Sequence, residues 1–166
     1  TGDGTLVLEP TYKHIILLDL DEWGNSIVLD DGLFLACEST LKQKAVRRKT
    51  FSSAFAGGEG FFNLGLKGSG VVCIESDCSR EELVEITLED DVVKIDGNLA
   101  IAWSGSLDFT VERAGKSLLG SAASGEGLVN VYRGTGKVLL APVGNQAMKP
   151  QQVIEKEPVI VGDDDE

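Results

Sequence analysis

Gly2-Asp3-Gly4-Thr5-Leu6-Val7-Leu8, Gly68-Ser69-Gly70-Val71-Val72-Cys73-Ile74 and Gly134-Thr135-Gly136-Lys137-Val138-Leu139-Leu140 are three copies of one pattern, Gly-x-Gly followed by a short apolar run. They are evenly spaced, since 68 − 2 = 134 − 68 = 66, and that regularity is the mark of an internal repeat. Glycine enters positive φ without a steric penalty, so each copy predicts a tight turn feeding directly into a strand. The chain is expected to be an array of similar β-units.

Working outward, the second unit begins in the apolar run Ile15–Leu18, bounded by Pro10 and by Asp19, Asp21 and Glu22, which predicts a buried strand. Trp23-Gly24-Asn25 and Asp30-Asp31-Gly32 are turn signals, the latter because Asp-Gly suits the primed turns of hairpins. Strands are predicted over Ile27–Leu29, Leu33–Cys37 and Leu41–Arg48. The same order returns one period later, with Leu99–Trp103 matching Leu33–Cys37. In Leu107–Arg113 the apolar Leu107, Phe109 and Val111 alternate with Asp108, Thr110 and Glu112, so one face is expected on a core and the other in water. No segment keeps apolar residues at helical spacing for long. The fold class expected is all-β, built from tandem antiparallel β repeats of about 66 residues.

The units divide as 1–16, the end of a first repeat; 17–82, the second; 83–145, the third; and 146–166, a solvated acidic tail. Small-residue bridges at 52–58 and 120–125 run into Gly58-Glu59-Gly60-Phe61-Phe62-Asn63-Leu64 and Gly125-Glu126-Gly127-Leu128-Val129-Asn130-Val131, where the spacing is one longer, 125 − 58 = 67. Gly2, Gly4, Gly58, Gly60, Gly68, Gly70, Gly125, Gly127, Gly134 and Gly136 are read as turn or bulge glycines. Glu59 and Glu126, each held between two glycines at equivalent places, are the candidate ligand-binding carboxylates of a groove between units, with Asn63 and Asn130 following at the same offset. The competing reading is local backbone hydrogen bonding at a bulge.

At those Gly-Glu-Gly stretches and the Gly-x-Gly strands that follow, the sequence resembles the altered-inheritance-of-mitochondria family, proteins with repeats like the tryptophan RNA-binding attenuation protein. The resemblance covers Gly2 to Val143. It implies three tandem antiparallel units, a double-stranded β-helix type of fold, and units packed side by side so that sheet edges are covered. The attenuation protein's RNA site depends on basic residues, whereas the one basic cluster here, Lys44, Arg47, Arg48 and Lys49, corresponds to Thr110, Arg113, Ala114 and Gly115 in the next unit.

Charge and composition narrow the function. Among the 166 residues, 15 basic side chains against 27 acidic ones give a net charge of −12, which opposes binding to nucleic acid or to an anionic membrane surface. The apolar runs are too short to span a bilayer, so no direct membrane insertion is expected. Cys37, Cys73 and Cys78 form no CxxC pair, so no metal or other cofactor is expected, and their odd number suits a reducing compartment. That places the protein in a bacterial cytoplasm, or in a mitochondrion if it is eukaryotic. The sole histidine, His14, is the only ordinary base for a hydrolase, and it starts an apolar strand. The expectation is a non-enzymatic homo-oligomeric β-scaffold with protein partners. The alternatives are a small-ligand module using grooves between repeats and, remotely, a hydrolase.

Overall fold

A computed structural model describes residues 3–8, 13–47, 62–96, 98–113 and 128–142. Among them the chain is all β apart from one 3-10 turn. The first strand, β1 (His14–Asp19), alternates: Ile16 and Leu18 are each 3% exposed, whereas Ile15 and Leu17 face outward. The expected buried strand is therefore buried on one face only, because successive side chains of a strand point to opposite sides. Asp19 ends it and caps the 3-10 turn Leu20–Trp23, its Oδ1 accepting from the Asp21 backbone N–H at 3.0 Å. Gly24 and Asn25, both left-handed, turn the chain into β2 (Ser26–Leu29). Gly32, at φ +75°, closes the Asp-Asp-Gly turn before β3 (Phe34–Cys37) and β4 (Lys42–Arg47). Then come β5 (Phe62–Lys67), β6 (Val71–Ser76), β7 (Val84–Asp96), β8 (Ala100–Ser104), β9 (Asp108–Arg113) and β10 (Leu128–Leu140).

All ladders are antiparallel. One sheet has the order β1-β6-β3. The other runs β4-β5-β2-β8-β10-β7, with β9 also on β10. Several registers of the first half return in the second when the same number is added to both partners. Lys42↔Lys67 on β4 and β5 becomes Asp108↔Arg133 on β9 and β10, since 108 − 42 = 133 − 67 = 66. Leu29↔Leu64 becomes Ile95↔Asn130, and Cys37↔Val72 becomes Trp103↔Val138. Even the irregularity in β3 at Phe34↔Ile74 has its counterpart at Ala100↔Leu140.

The glycine pairs behave in three ways. Gly68-Ser69-Gly70 is the expected turn, and it passes the chain from β5 in one sheet to β6 in the other. Gly134-Thr135-Gly136 is not a turn; it is a register shift inside the continuous strand β10. The reason lies in the partner. β7 runs on past Leu88, which pairs with Gly136, whereas the matching place in the second unit is the 3-10 turn, where the Leu20 N–H donates to Gly70 O at 3.0 Å. Gly4 belongs to residues 3–8, which form no strand: Leu6 and Val7 are 79% and 86% exposed. Gly2, Gly58, Gly60, Gly125 and Gly127 lie outside the described residues.

In both described pairs the second glycine sits against the preceding β-turn too closely for a side chain, whereas Gly134 has room for a Cβ and is favoured as glycine by its φ of +116°. A Cβ on Gly70 would lie 2.5 Å from Glu38 Oε2, and one on Gly136 2.7 Å from Ser104 Cβ. Those same side chains accept from the strand that follows: the Val71 N–H donates to Glu38 Oε2 at 2.8 Å and the Lys137 N–H to Ser104 Oγ at 3.0 Å.

The apolar side chains form two clusters. The first is built on Ile16, Leu18, Leu20, Ile27, Leu29 and Ile74, and Ile101, Ala102 and Leu139 of the second half also belong to it. The second holds Leu88, Ile95, Leu107 and Val138 around an aromatic trio. Trp103, Phe109 and Tyr132 stand 5.0 to 5.3 Å apart, centroid to centroid, within the range where aromatic pairs attract beyond their burial.

Candidate functional site

Where β2 meets β8, the pair Val28↔Trp103 forms the floor of an open recess of about 370 Å³. Gly65, opposite both Val28 and Lys44, lowers one wall: a Cβ there would stand 2.7 Å from Val46 Cγ2. Phe109 on β9 makes the facing wall, and Lys44, Lys67 and Asp108 stand at the rim. An aromatic floor with ammonium groups at its margin favours an apolar body carrying a negative group. A second recess, of about 420 Å³, lies beyond β5 among Asp30, Asp31, Phe34 and Gln43, and Lys44 lines it as well.

Of the residues singled out in the sequence, Asn63 is 4% exposed and lines this second recess. Asn130 lies on β10 opposite Ile95 and Val111. The two are not equivalent in the ladders. Asn63 faces Val46, whose counterpart is Glu112, and Glu112 pairs with Val129. Asn130 instead takes the place of Leu64, so the longer spacing of the Gly-Glu-Gly stretches puts the two asparagines on opposite faces of their strands. Glu59 and Glu126 lie outside the described residues. His14 is exposed at the first residue of β1.

On the far side of β10 from the aromatic trio, Arg133 donates to Glu112 Oε1 and, through Nη1, to Thr110 Oγ1 at 3.1 Å. Lys94 Nζ reaches Glu112 Oε2 at 3.2 Å. The hydrogen bond from Arg133, and then that from Lys94, hold the Glu112 carboxyl below the usual glutamate range. Val131, 0% exposed, lies on the same face as these side chains, beneath their stems. The acidic turn residues do local work: Asp19 caps, and Asp21 accepts from Ser69 Oγ at 3.1 Å. Among the described residues no cluster of three or more His, Cys, Asp or Glu is placed to hold a metal ion, and no helix is long and apolar enough to cross a membrane.

The groove residues are hidden in the sequence because, read alone, each looks like core. One signal is available: a period after Cys37, Gln43 and Leu66 come Trp103, Phe109 and Tyr132, three aromatic residues at positions where the preceding unit has none.

Curled antiparallel sheets with open recesses between strands define an all-β protein. The chain belongs to the mitochondrial biogenesis AIM24 family, whose model matches residues 1–143. It is 32% identical over 140 residues to an uncharacterised protein of Streptococcus pyogenes serotype M6, a match covering 84% of this chain and 54% of that one. A crystal structure of a Streptococcus pyogenes protein from a structural genomics programme superposes with a TM-score of 0.60 at 29% identity, covering 81% of this chain and 56% of the other. The chain thus spans about half the length of these relatives.

Proposed function

We propose that this protein is a non-enzymatic oligomeric β-scaffold that works in protein assembly. In this reading its units are repeats like those of the tryptophan RNA-binding attenuation protein, in a double-stranded β-helix arrangement. The observation that carries it is the recurrence of ladder registers from one unit to the next together with uncovered apolar surface, Ile15 and Leu17 on β1 being 48% and 67% exposed. Exposed apolar side chains clustered on a sheet face mark a surface that another protein covers. Net charge −12 directs the partner away from nucleic acid, and the site of action is a bacterial cytoplasm or, in a eukaryote, the mitochondrion. Light scattering across a concentration series tests it: species heavier than 17.7 kDa are expected, and a strict monomer at the highest concentration refutes it.

The recess over Trp103 favours a second reading, a small-ligand module for an apolar anion. Thermal-shift screening against fatty and aromatic carboxylates tests that one. A ligand at about 100 times its dissociation constant adds about 2.7 kcal/mol to stability, and Trp103→Leu should remove the shift.

A further inference from the structure

The sheet face that floors the recess over Val28 and Trp103 has a counterpart one repeat further on, and the two faces are finished differently. In the third repeat the chain completes the face itself. Val131 fills its middle, Arg133 donates to Glu112 and Thr110, Lys94 reaches Glu112, and Asp108 stands directly opposite Arg133 in the ladder. Adding 66 to each position matches Lys42 with Asp108, Lys44 with Thr110, Val46 with Glu112, Gly65 with Val131 and Lys67 with Arg133, all in the same register. In the second repeat the filler is therefore a glycine, and both carboxylates are gone, one replaced by valine and the other by lysine. Lys42 and Lys67 oppose each other across β4 and β5, and like charges placed in this way repel. Lys44, two residues along β4, lies on the same face. All three lysines are exposed, and none makes an ion pair with a described residue. Asp108, at the rim, is the one acid among the residues that line the recess.

We propose that this recess binds a phosphate monoester of an apolar alcohol, its phosphate held by Lys42, Lys44 and Lys67 and its apolar body lying on Val28 and Trp103. This rests on the small-ligand reading above and adds the chemistry of the head group. The walls come from β2, β4, β5 and the stretch from β8 to β9, on either side of a ladder that the chain makes with itself. Three ammonium groups against one rim carboxylate leave a charge of 3 − 1 = 2 to be met from outside. A phosphate monoester carries about −1.5 to −2 near pH 7 and meets it, whereas a carboxylate supplies a single negative charge. Lysines bind phosphate as separate point charges, so three of them spread over two strands can each take an oxygen. The volume of about 370 Å³ lies within the range of small-ligand sites and has room for a ring or a short chain beneath the phosphate, with Phe109 at its side. Gly65 provides that room, since Val131 occupies the same place in the third repeat.

Isothermal titration calorimetry with naphthyl phosphate, naphthoate and inorganic phosphate tests the assignment. Naphthyl phosphate should bind about tenfold or more tightly than either of the others. Lys42→Asp gives Lys67 the carboxylate partner that Arg133 has in the third repeat. It should weaken naphthyl phosphate by about tenfold or more while leaving the melting temperature unchanged or higher, a combination that a purely structural role for the lysines does not produce. Lys94→Met, on the matching face of the third repeat, should leave the affinity as it is. The proposal is overturned if Lys42→Asp binds like the parent, if Lys94→Met weakens binding as much, or if inorganic phosphate binds as tightly as the ester. If naphthoate binds as tightly as naphthyl phosphate and Trp103→Leu removes both, the head group is wrong and the small-ligand reading stands; no binding of either sinks both. Vesicles of phosphatidylcholine with and without phosphatidic acid identify the source of the ester. Co-sedimentation that needs phosphatidic acid and is competed by naphthyl phosphate assigns a lipid head group, and its absence beside naphthyl phosphate binding assigns a soluble ester.

Discussion

Replacing Gly136 by alanine places a methyl carbon 2.7 Å from Ser104 Cβ, 3.0 Å from Ser106 Oγ and 3.1 Å from Leu107 Cγ. Ser104 is 1% exposed, at the end of a strand buried along its whole length, and its Oγ holds the Lys137 N–H, so the clash has no flexible end to push aside. Overpacking of this kind and the unfavourable φ of +157° together should cost about 2–5 kcal/mol. Gly70→Ala meets the same backbone penalty at φ +143°, but its nearest atom is the Glu38 carboxylate. That group can swing into water, giving up its bond to the Val71 N–H at about 1 kcal/mol, for a total of about 2–3 kcal/mol. Gly4→Ala, with nothing within 4 Å, should stay within about 0.5 kcal/mol of the parent. Urea unfolding followed by the fluorescence of Trp23 and Trp103, each 3% exposed, reads all three. With a denaturant slope of about 1–3 kcal/mol per molar, Gly136→Ala should lower the midpoint by about 0.7 M or more. The argument fails if Gly136→Ala costs no more than Gly70→Ala, or if both match the parent.

Three further expectations follow from the same geometry. Trp103→Ala should destabilise by about 3–5 kcal/mol, and a double-mutant cycle with Phe109→Leu should leave a coupling of about 0.5–1.5 kcal/mol; an additive cycle would show that the rings at 5.0 Å merely fill space. Because Glu112 has its carboxyl pKa lowered in the folded chain, its contribution to stability is present above the ordinary glutamate range and is lost as pH falls through the folded value. In Arg133→Met the Glu112 resonance should titrate at higher pH by NMR, and an unmoved midpoint would assign the shift elsewhere. Leu17→Glu, on an exposed face, should change the urea midpoint by less than about 0.5 kcal/mol in stability yet reduce self-association in sedimentation; unchanged sedimentation would take that face out of the interface.

Much of the β-architecture can be read from punctuation. Asp30-Asp31-Gly32 does turn, though it carries the chain from one sheet to the other and closes no hairpin, and Leu107 and Phe109 face the second core as their alternation with Asp108 and Thr110 implies. What escapes such reading depends on what lies alongside a segment. Ile15–Leu18 is uniformly apolar, so only the outcome of stacking decides that Ile15 and Leu17 stay outside. The same Gly-x-Gly makes a corner at 68–70 and a bulge at 134–136, according to whether the neighbouring stretch is a 3-10 turn or a continuing strand. The candidate site is less legible. A slip of a single position in a loop is invisible to chemistry but reverses the face on which Asn63 or Asn130 stands. The groove floor draws Val28 and Trp103 from different units, far apart in the chain and joined only by a cross-unit ladder.

The thirteen-residue β10 touches β7, β8 and β9 at once. On the ribosome those three strands are made first and wait, their amide groups hydrated, until Leu128–Leu140 clears the exit tunnel. Since β8 also supplies the outer wall of the first core, early synthesis yields no finished half. The polypeptide commits to its native form late and in one step, which makes that interval the one in which a chaperone or a neighbouring nascent chain has most to grip.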